Sequence, residues 1–263
     1  MKKPLLIFVV FLSALLANAL PISVITKVDD LYRLGKTIKH GSSFYKVAGA
    51  LSKSQIDELA EIVKTPNGLK QVGEILGKRG LSDAALSNAY LRIATKNGVI
   101  TEEFAEAVFT KLSHVDGFRT LVRKINIANV NTAKGHLYEL QIGKLATDKG
   151  FKVVSFGLKY SDDVKKADTD MDVLLSLGDR LFAVESKNYA GSVPMDMIRA
   201  DAISLVNFAK GMKGTRETIP VFAFAKEPSY VAKKYLKWND VHPVYGTPDE
   251  IITKIQHIAQ CLN

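Results

Sequence analysis

The chain predicts an α+β or α/β fold, a mixed β-sheet flanked by helices and preceded by an all-helical region. Three observations carry this. From about Thr26 to Ile125, apolar residues recur at helical spacing with hardly a strand pattern. From Phe151 onward, short apolar runs come first in succession and then alternate with amphipathic stretches. Between these regions Asn126 to Lys134 holds Asn126, Asn129, Asn131 and Thr132, a composition that suits a linker.

The first nineteen residues stand outside the fold. Lys2 and Lys3 form a basic start, Leu5 to Leu16 an apolar run, and Ala17-Asn18-Ala19 a small-residue cleavage site. That order predicts a cleaved secretory signal. The run is shorter than the roughly 20 apolar residues a membrane-spanning helix needs, and no cysteine follows it to carry a lipid, so no stable membrane anchor is expected. The expected organisation is a signal over 1–19, a helical accessory domain over 20–128 and a second domain over 129–263.

Within the helical region, Ser54 precedes Ile56, Leu59, Ile62 and Val63, and Pro66-Asn67-Gly68 stops the run. Ser82 precedes Ala85, Leu86, Ala89, Tyr90 and Ile93, and Asn97-Gly98 stops it. Thr101 precedes Phe104, Val108 and Leu112, and Asp116-Gly117 stops it. Each run has a capping residue, an apolar stripe and a glycine end signal. The stops are unevenly spaced, which predicts a bundle rather than a repeating solenoid.

Beyond the linker the patterns read as a helix near 133–148 and strands near 151–158, 171–177 and 181–187. A helix near 194–210, a strand at 219–225, a helix at 228–237, a strand at 242–245 and a helix at 248–261 complete the chain. A three-strand meander followed by helix-linked strands gives a sheet of mixed direction.

The meander carries the chemistry. Asp172 opens the run Val173-Leu174-Leu175-Ser176-Leu177, whose buried side is expected to be Val173, Leu175 and Leu177. After a short turn comes Leu181-Phe182-Ala183-Val184-Glu185-Ser186-Lys187. Side chains alternate along a strand, so Glu185 and Lys187 share one face, Phe182 and Val184 take the other, and Ser186 points away from the charged pair. Carboxylates and a lysine at the end of an apolar hairpin are costly for stability alone. A divalent cation such as Mg²⁺ or Mn²⁺, which takes carboxylate, carbonyl and water oxygens, gives them a reason.

Asp172, twelve intervening residues and Glu185-Ser186-Lys187 resemble the D…(D/E)xK motif of the PD-(D/E)XK, or restriction-endonuclease-like, nuclease superfamily. The surroundings add to the likeness. Gly135-His136-Leu137-Tyr138-Glu139 opens a helix that runs into Lys149-Gly150-Phe151, and Lys187-Asn188-Tyr189-Ala190-Gly191 follows the lysine. The resemblance covers residues 130 to 260, with Met171 standing where the name-giving proline would be. It implies an αβββαβ core, with Glu139, Asp172 and Glu185 as metal ligands and Lys187 as the residue that orients water or stabilises transition-state charge. It implies a metal-dependent nuclease, acting on DNA ahead of RNA. A secreted toxin, with an inhibitor or immunity protein as partner, and a periplasmic nuclease are its two settings. A catalytically inactive domain that binds nucleic acid or protein is the alternative, and a periplasmic interaction protein with structural acids is a third.

The formal charge of +9 favours acidic partners, nucleic acid first and anionic membrane or wall polymer second. Cys261 is the single cysteine, so no intrachain disulfide can form, and the five histidines lack zinc-site spacing. Asn188 and Tyr189 directly follow the motif strand and are candidate substrate contacts, together with Lys226 and Lys234. Tyr230, Lys233, Lys237 and Trp238 belong to the same stretch, which reads either as phosphate contact with base stacking or as a solvated lysine face with Tyr235 and Trp238 packed inward. His136, at i and i+3 from Glu139, reads as a site neighbour or an ordinary surface histidine. Asp168 and Asp170 lead into the motif strand. Arg199 meets a phosphate or pairs with Asp196.

Overall fold

The computed structural model describes residues 44, 46–127, 129–160, 169–189, 191–212 and 216–261. The expected signal segment, Asp162-Asp163 and Asp168 lie outside them. Contacts divide the chain after Lys46, and Val47 onward forms one compact unit.

Among the described residues before Asn129 every regular element is a helix: α1 (Lys53–Val63), α2 (Gly68–Gly77), α3 (Asp83–Lys96), α4 (Glu102–Leu112) and α5 (Phe118–Lys124). Ser82 and Thr101 cap α3 and α4 as expected, their hydroxyls accepting from Ala85 and Phe104 amides. The cap of α1 is Ser52 rather than Ser54. Ser52 and Gln55 form a reciprocal capping box, which satisfies two orphan donors where Ser54 would satisfy one. Two expected stops are also starts. Asn67 at φ 62° opens α2 and Gly117 at φ 80° opens α5. A Cβ on Gly117 would lie 1.9 Å from the Phe156 carbonyl oxygen, so only glycine lets this turn press on the sheet.

The asparagine-rich stretch caps and ties rather than links. Asn126 is buried, its amide donating to the carbonyls of Tyr90 at 3.1 Å and Val122 at 2.9 Å. Asn129 caps α6 (Val130–Asp148) through the amides of Asn131 and Thr132. α6 packs on α4 and α5 behind it and on the sheet in front. Gly143 allows that close approach, since a Cβ there would strike the Phe156 ring at 2.4 Å.

The rest follows the expected order: β1 (Lys152–Tyr160), β2 (Thr169–Leu177), β3 (Arg180–Lys187), α7 (Met195–Gly211), β4 (Glu217–Phe224), α8 (Tyr230–Trp238), β5 (His242–Tyr245) and α9 (Pro248–Cys261). The sheet has five strands in the order β1-β2-β3-β4-β5. The first three pair antiparallel, and β4 and β5 join parallel. Helix, meander, helix and strand thus stand in the αβββαβ order. One face, with Leu174, Leu181, Ala183, Phe222 and Phe224, receives Ile198, Ala202 and Leu205 of α7 and Ala232 and Leu236 of α8. Both faces of β2 are buried: Leu174 is as covered as Val173 and Leu175, while Leu177 is only half-buried. Phe222 and Phe224 stack at 4.7 Å, each side chain's burial contributing roughly 1.5–3 kcal/mol. That rigid floor lies beside the carboxyl end of β3.

Candidate active site

The β2–β3 ladder ends at Val173 opposite Val184, and its register sets Asp172 opposite Glu185 just beyond the last pair. There the Asp172 carboxylate takes the place of the missing strand partner. Its Oδ2 accepts from the Ser186 amide at 2.7 Å and the Ser186 hydroxyl at 3.0 Å. The side chain expected to point away from the charged pair is therefore what anchors the first acid.

Glu185 and Lys187 continue the alternation of Leu181 and Ala183 and share the α7 face, as their spacing predicted. Lys187 Nζ is 2.5 Å from Glu185 Oε1 and 2.9 Å from Asp201 Oδ2 of α7. These side chains are 15%, 11% and 15% exposed, dry enough that breaking the network costs more than a surface ion pair does. The motif expectation missed Asp201, although the sequence carried a signal for it. Ile198, Ala202 and Leu205 form the buried stripe of α7, and Asp201 interrupts that stripe with a charge.

Glu139 is buried on α6, with Oε1 2.9 Å from His136 Nδ1, so His136 is a neighbour of the site. Its charge reaches Asp172. Burial, then Glu185, then Glu139 push the Asp172 carboxyl well above the usual carboxylate range, against Lys187 and the Ser186 amide. Burial also raises Glu185 to about 7. Lys187 opposes that rise, and Asp201 and Asp170 add to it. Burial works against the Lys187 ammonium, but Glu185, Asp201 and Asp172 outweigh it and hold the lysine above its ordinary range. The carboxylates around it thus favour the charged form of the lysine.

Carboxylates thus outnumber the cation that neutralises them. Hard oxygen donors with surplus charge fit Mg²⁺ or Mn²⁺, which one or two carboxylates hold with waters and substrate phosphate. Among the described residues, no three His, Cys, Asp or Glu side chains are gathered closely enough to enclose an ion. Asp172 and Glu185 are therefore the pair that suits such an ion. Glu139 Oε1 is engaged with His136.

The expected substrate contacts divide. Lys226, Tyr189 and Lys187 line one narrow slot with Ser229 at the start of α8. Asn188 donates to the Lys134 carbonyl at 3.1 Å, tying the end of β3 to α6. The Tyr189 hydroxyl is 3.2 Å from Met197 Sδ. Lys234 stands on the outer face of α8, 4.6 Å from the Trp238 ring centre. Trp238 is 74% exposed, so the inward-packed reading of this residue is wrong: Ala232 and Leu236 fill the inner face. Arg199 is 3.6 Å from Asp196 and lies over the Tyr235 ring.

Fold and site together define a mixed-sheet α+β protein with an acid, acid and lysine cluster at the end of a meander. No protein-family model and no curated protein matches the chain. Among solved structures it is similar to Can2 from Sulfobacillus thermosulfidooxidans in complex with cyclic tetra-adenylate, at 14% identity and TM-score 0.36, over 79% of this chain and 54% of that one. Protein VC1899 from Vibrio cholerae gives 11% identity and TM-score 0.34, over 81% and 57%. AF1548, a protein of unknown function, gives 14% and 0.32, over 46% and 67%. The chain spans little more than half the length of Can2 and VC1899. Likenesses of this size carry no argument about activity.

Proposed function

We propose that the protein is an exported, divalent-metal-dependent nuclease that hydrolyses phosphodiester bonds, in DNA ahead of RNA. The observation that supports this is the convergence of Asp172, Glu185 and Lys187 at one end of the sheet, with carboxylate charge in excess. Asp172 and Glu185 hold Mg²⁺ or Mn²⁺, with Glu139 adding to the same negative field. When bound, the metal supplies Lewis-acid polarisation of the phosphate. Lys187, kept protonated by Glu185 and Asp201, donates hydrogen bonds to the phosphate oxygens on which charge develops. Ser186 fixes the Asp172 carboxylate, so the acid needs little reorganisation. Lys226 lines the small slot beside Lys187 and is the proposed contact to a flanking phosphate.

One observation favours a second reading, the inactive binding domain. Asp172 is satisfied by Ser186, and Lys187 is clamped between two acids, a network that closes on itself. Incubating the full chain with plasmid, linear DNA and RNA, with Mg²⁺ or Mn²⁺ and with EDTA, separates the two. Cleavage that EDTA abolishes is expected. Nucleic acid bound but uncut in either metal would discard the nuclease and leave the binding domain.

Among the described residues no helix is long and apolar enough to cross a membrane. Export rests on the Lys2-Lys3, Leu5–Leu16 and Ala17-Asn18-Ala19 pattern. N-terminal sequencing of the periplasmic or secreted protein should begin at Leu20, and Met1 retained on a purely cytosolic protein would refute it. A toxin role would add an inhibitor or immunity protein as partner.

A further inference from the structure

The outer face of α8 exposes large aromatic and aliphatic side chains among lysines. Tyr230 is 73% exposed, Val231 60% and Trp238 74%. Lys234 and Lys237 are exposed among them, and no acid occurs between Tyr230 and Trp238. The inner face is already filled by Ala232 and Leu236. Large aromatic surface left in water is unfavourable, and among the described residues both rings stay exposed, with Lys234 over that of Trp238. Lys233 stands apart on the flank, 2.5 Å from Glu227.

The face is placed as well as composed. α8 starts at Ser229, and Ser229 lines the same slot as Lys187, Tyr189 and Lys226. The helix therefore begins beside the candidate catalytic lysine and leads away from it. At about 1.5 Å per residue, Tyr230 and Trp238 stand roughly 12 Å apart along the axis, far enough to be separate stacking positions. Lys234 lies between them, with its ammonium 4.6 Å from the Trp238 ring centre.

From this we infer that the α8 face of Tyr230, Val231, Lys234, Lys237 and Trp238 is a binding track for single-stranded nucleic acid leading to Lys187. Exposed rings can stack only on bases whose faces are open, and a paired duplex hides them. The lysines between the rings match a phosphate backbone in sign, as does the charge of the whole chain, +9. An anionic membrane surface would take an apolar face segregated from the cations, whereas here Lys234 and Lys237 lie on the same face as the rings. The inference rests on the nuclease reading for its direction toward Lys187, not for the binding itself.

Trp238 is the single tryptophan of the chain, so its emission reports on this face directly. The full chain, held in EDTA so that nothing is cut, is titrated with fluorescein-labelled oligothymidine and with a blunt duplex of equal phosphate count. Anisotropy is read with the label, and indole emission is read with unlabelled strands. Expected are quenching of Trp238 by the single strand, weaker binding of the duplex without quenching, and roughly tenfold weaker single-strand binding by Trp238→Ala. Lys234→Ala should weaken single-strand binding and lower its salt dependence. Equal affinity for both forms with unchanged emission overturns the track. So does a Trp238 response to phosphatidylglycerol vesicles with none to oligonucleotide, which would make the face a membrane contact. Cleavage without the Trp238 response removes the track and leaves the nuclease. The response without any cleavage in Mg²⁺ or Mn²⁺ leaves the track and removes the nuclease.

Discussion

Lys187→Ala should lower single-turnover cleavage of a labelled duplex by roughly 10²- to 10³-fold while Mn²⁺ still binds. The size is that of a positioned donor lost from a site where negative charge develops. On the proposed reading Asp172 and Glu185 hold the ion and the lysine is no ligand, so its loss leaves the metal site in place. Three carboxylates favour its charged form, and on that reading its contribution is charge and position rather than proton transfer. Lys187→Arg should therefore recover part of the loss, limited by the larger fork in a space framed by Glu185 and Asp201. Asp201→Asn tests the positioning directly. It keeps the shape of the side chain, removes one of the charges that hold the ammonium, and should cost about tenfold in rate, with the alkaline limb of the pH profile moving down. Near-normal cleavage by Lys187→Ala, in protein free of contaminating nuclease, would end the catalytic assignment. Identical, complete loss in Lys187→Arg and Lys187→Ala would return proton transfer to the lysine.

Most of the sheet was legible because its runs keep the strand period, and the motif hairpin because charges end an apolar strand. The parts that escaped were set by geometry that local pattern does not carry. Pro66-Asn67-Gly68 and Asp116-Gly117 are end signals, but a left-handed residue that turns the chain is as compatible with a new helix as with a loop, and here α2 and α5 begin. Alternation put Ser186 away from Glu185 and Lys187 and said nothing of Asp172. The serine meets Asp172 because the ladder stops at Val173, and the carboxylate then bonds the amide left without a strand partner. Asp201 was readable as a charge within a buried stripe, yet only the packing of α7 on β3 shows that Lys187 is its partner. The pattern leaves Trp238 between an exposed and an inward-packed reading because nine residues give too few turns to decide, and the structure exposes it. The asparagines of the expected linker have linker composition, and burial of Asn126 against the Tyr90 carbonyl makes that one part of the core.

Asp172→Asn should make the metal-free protein more stable at pH 8 and leave it unchanged at pH 4. The folded chain raises both Asp172 and Glu185 above their ordinary values, mainly by burial. A group raised on folding contributes its full stability below its unfolded pKa and loses it as pH rises through the folded one. For Glu185 that window runs from its ordinary 4.5 to about 7, on the order of 3 kcal/mol at 1.36 kcal/mol per pKa unit. Lys187 lies outside it, since its raised pKa keeps its charge until strongly alkaline pH. The wild-type melting temperature should therefore fall as pH rises from about 4.5 past 7 in EDTA. The carboxamide of the Asp172→Asn variant would keep an oxygen to accept from the Ser186 amide, so the ladder end stays closed while one buried charge is gone. The expected gain at pH 8 is a rise of several degrees in melting temperature. Mg²⁺ should stabilise the wild type at pH 8 by mass action and have little effect on Asp172→Asn, which also loses cleavage. Thermal melts from pH 4 to 9, with EDTA and with Mg²⁺, read all of this. An Asp172→Asn protein that is less stable than wild type at pH 8, with no response of either protein to Mg²⁺, would mean that the carboxylate serves the ladder end alone. A wild type destabilised by its own acids and rescued by a divalent cation would instead mean that the fold gives up stability there to hold one.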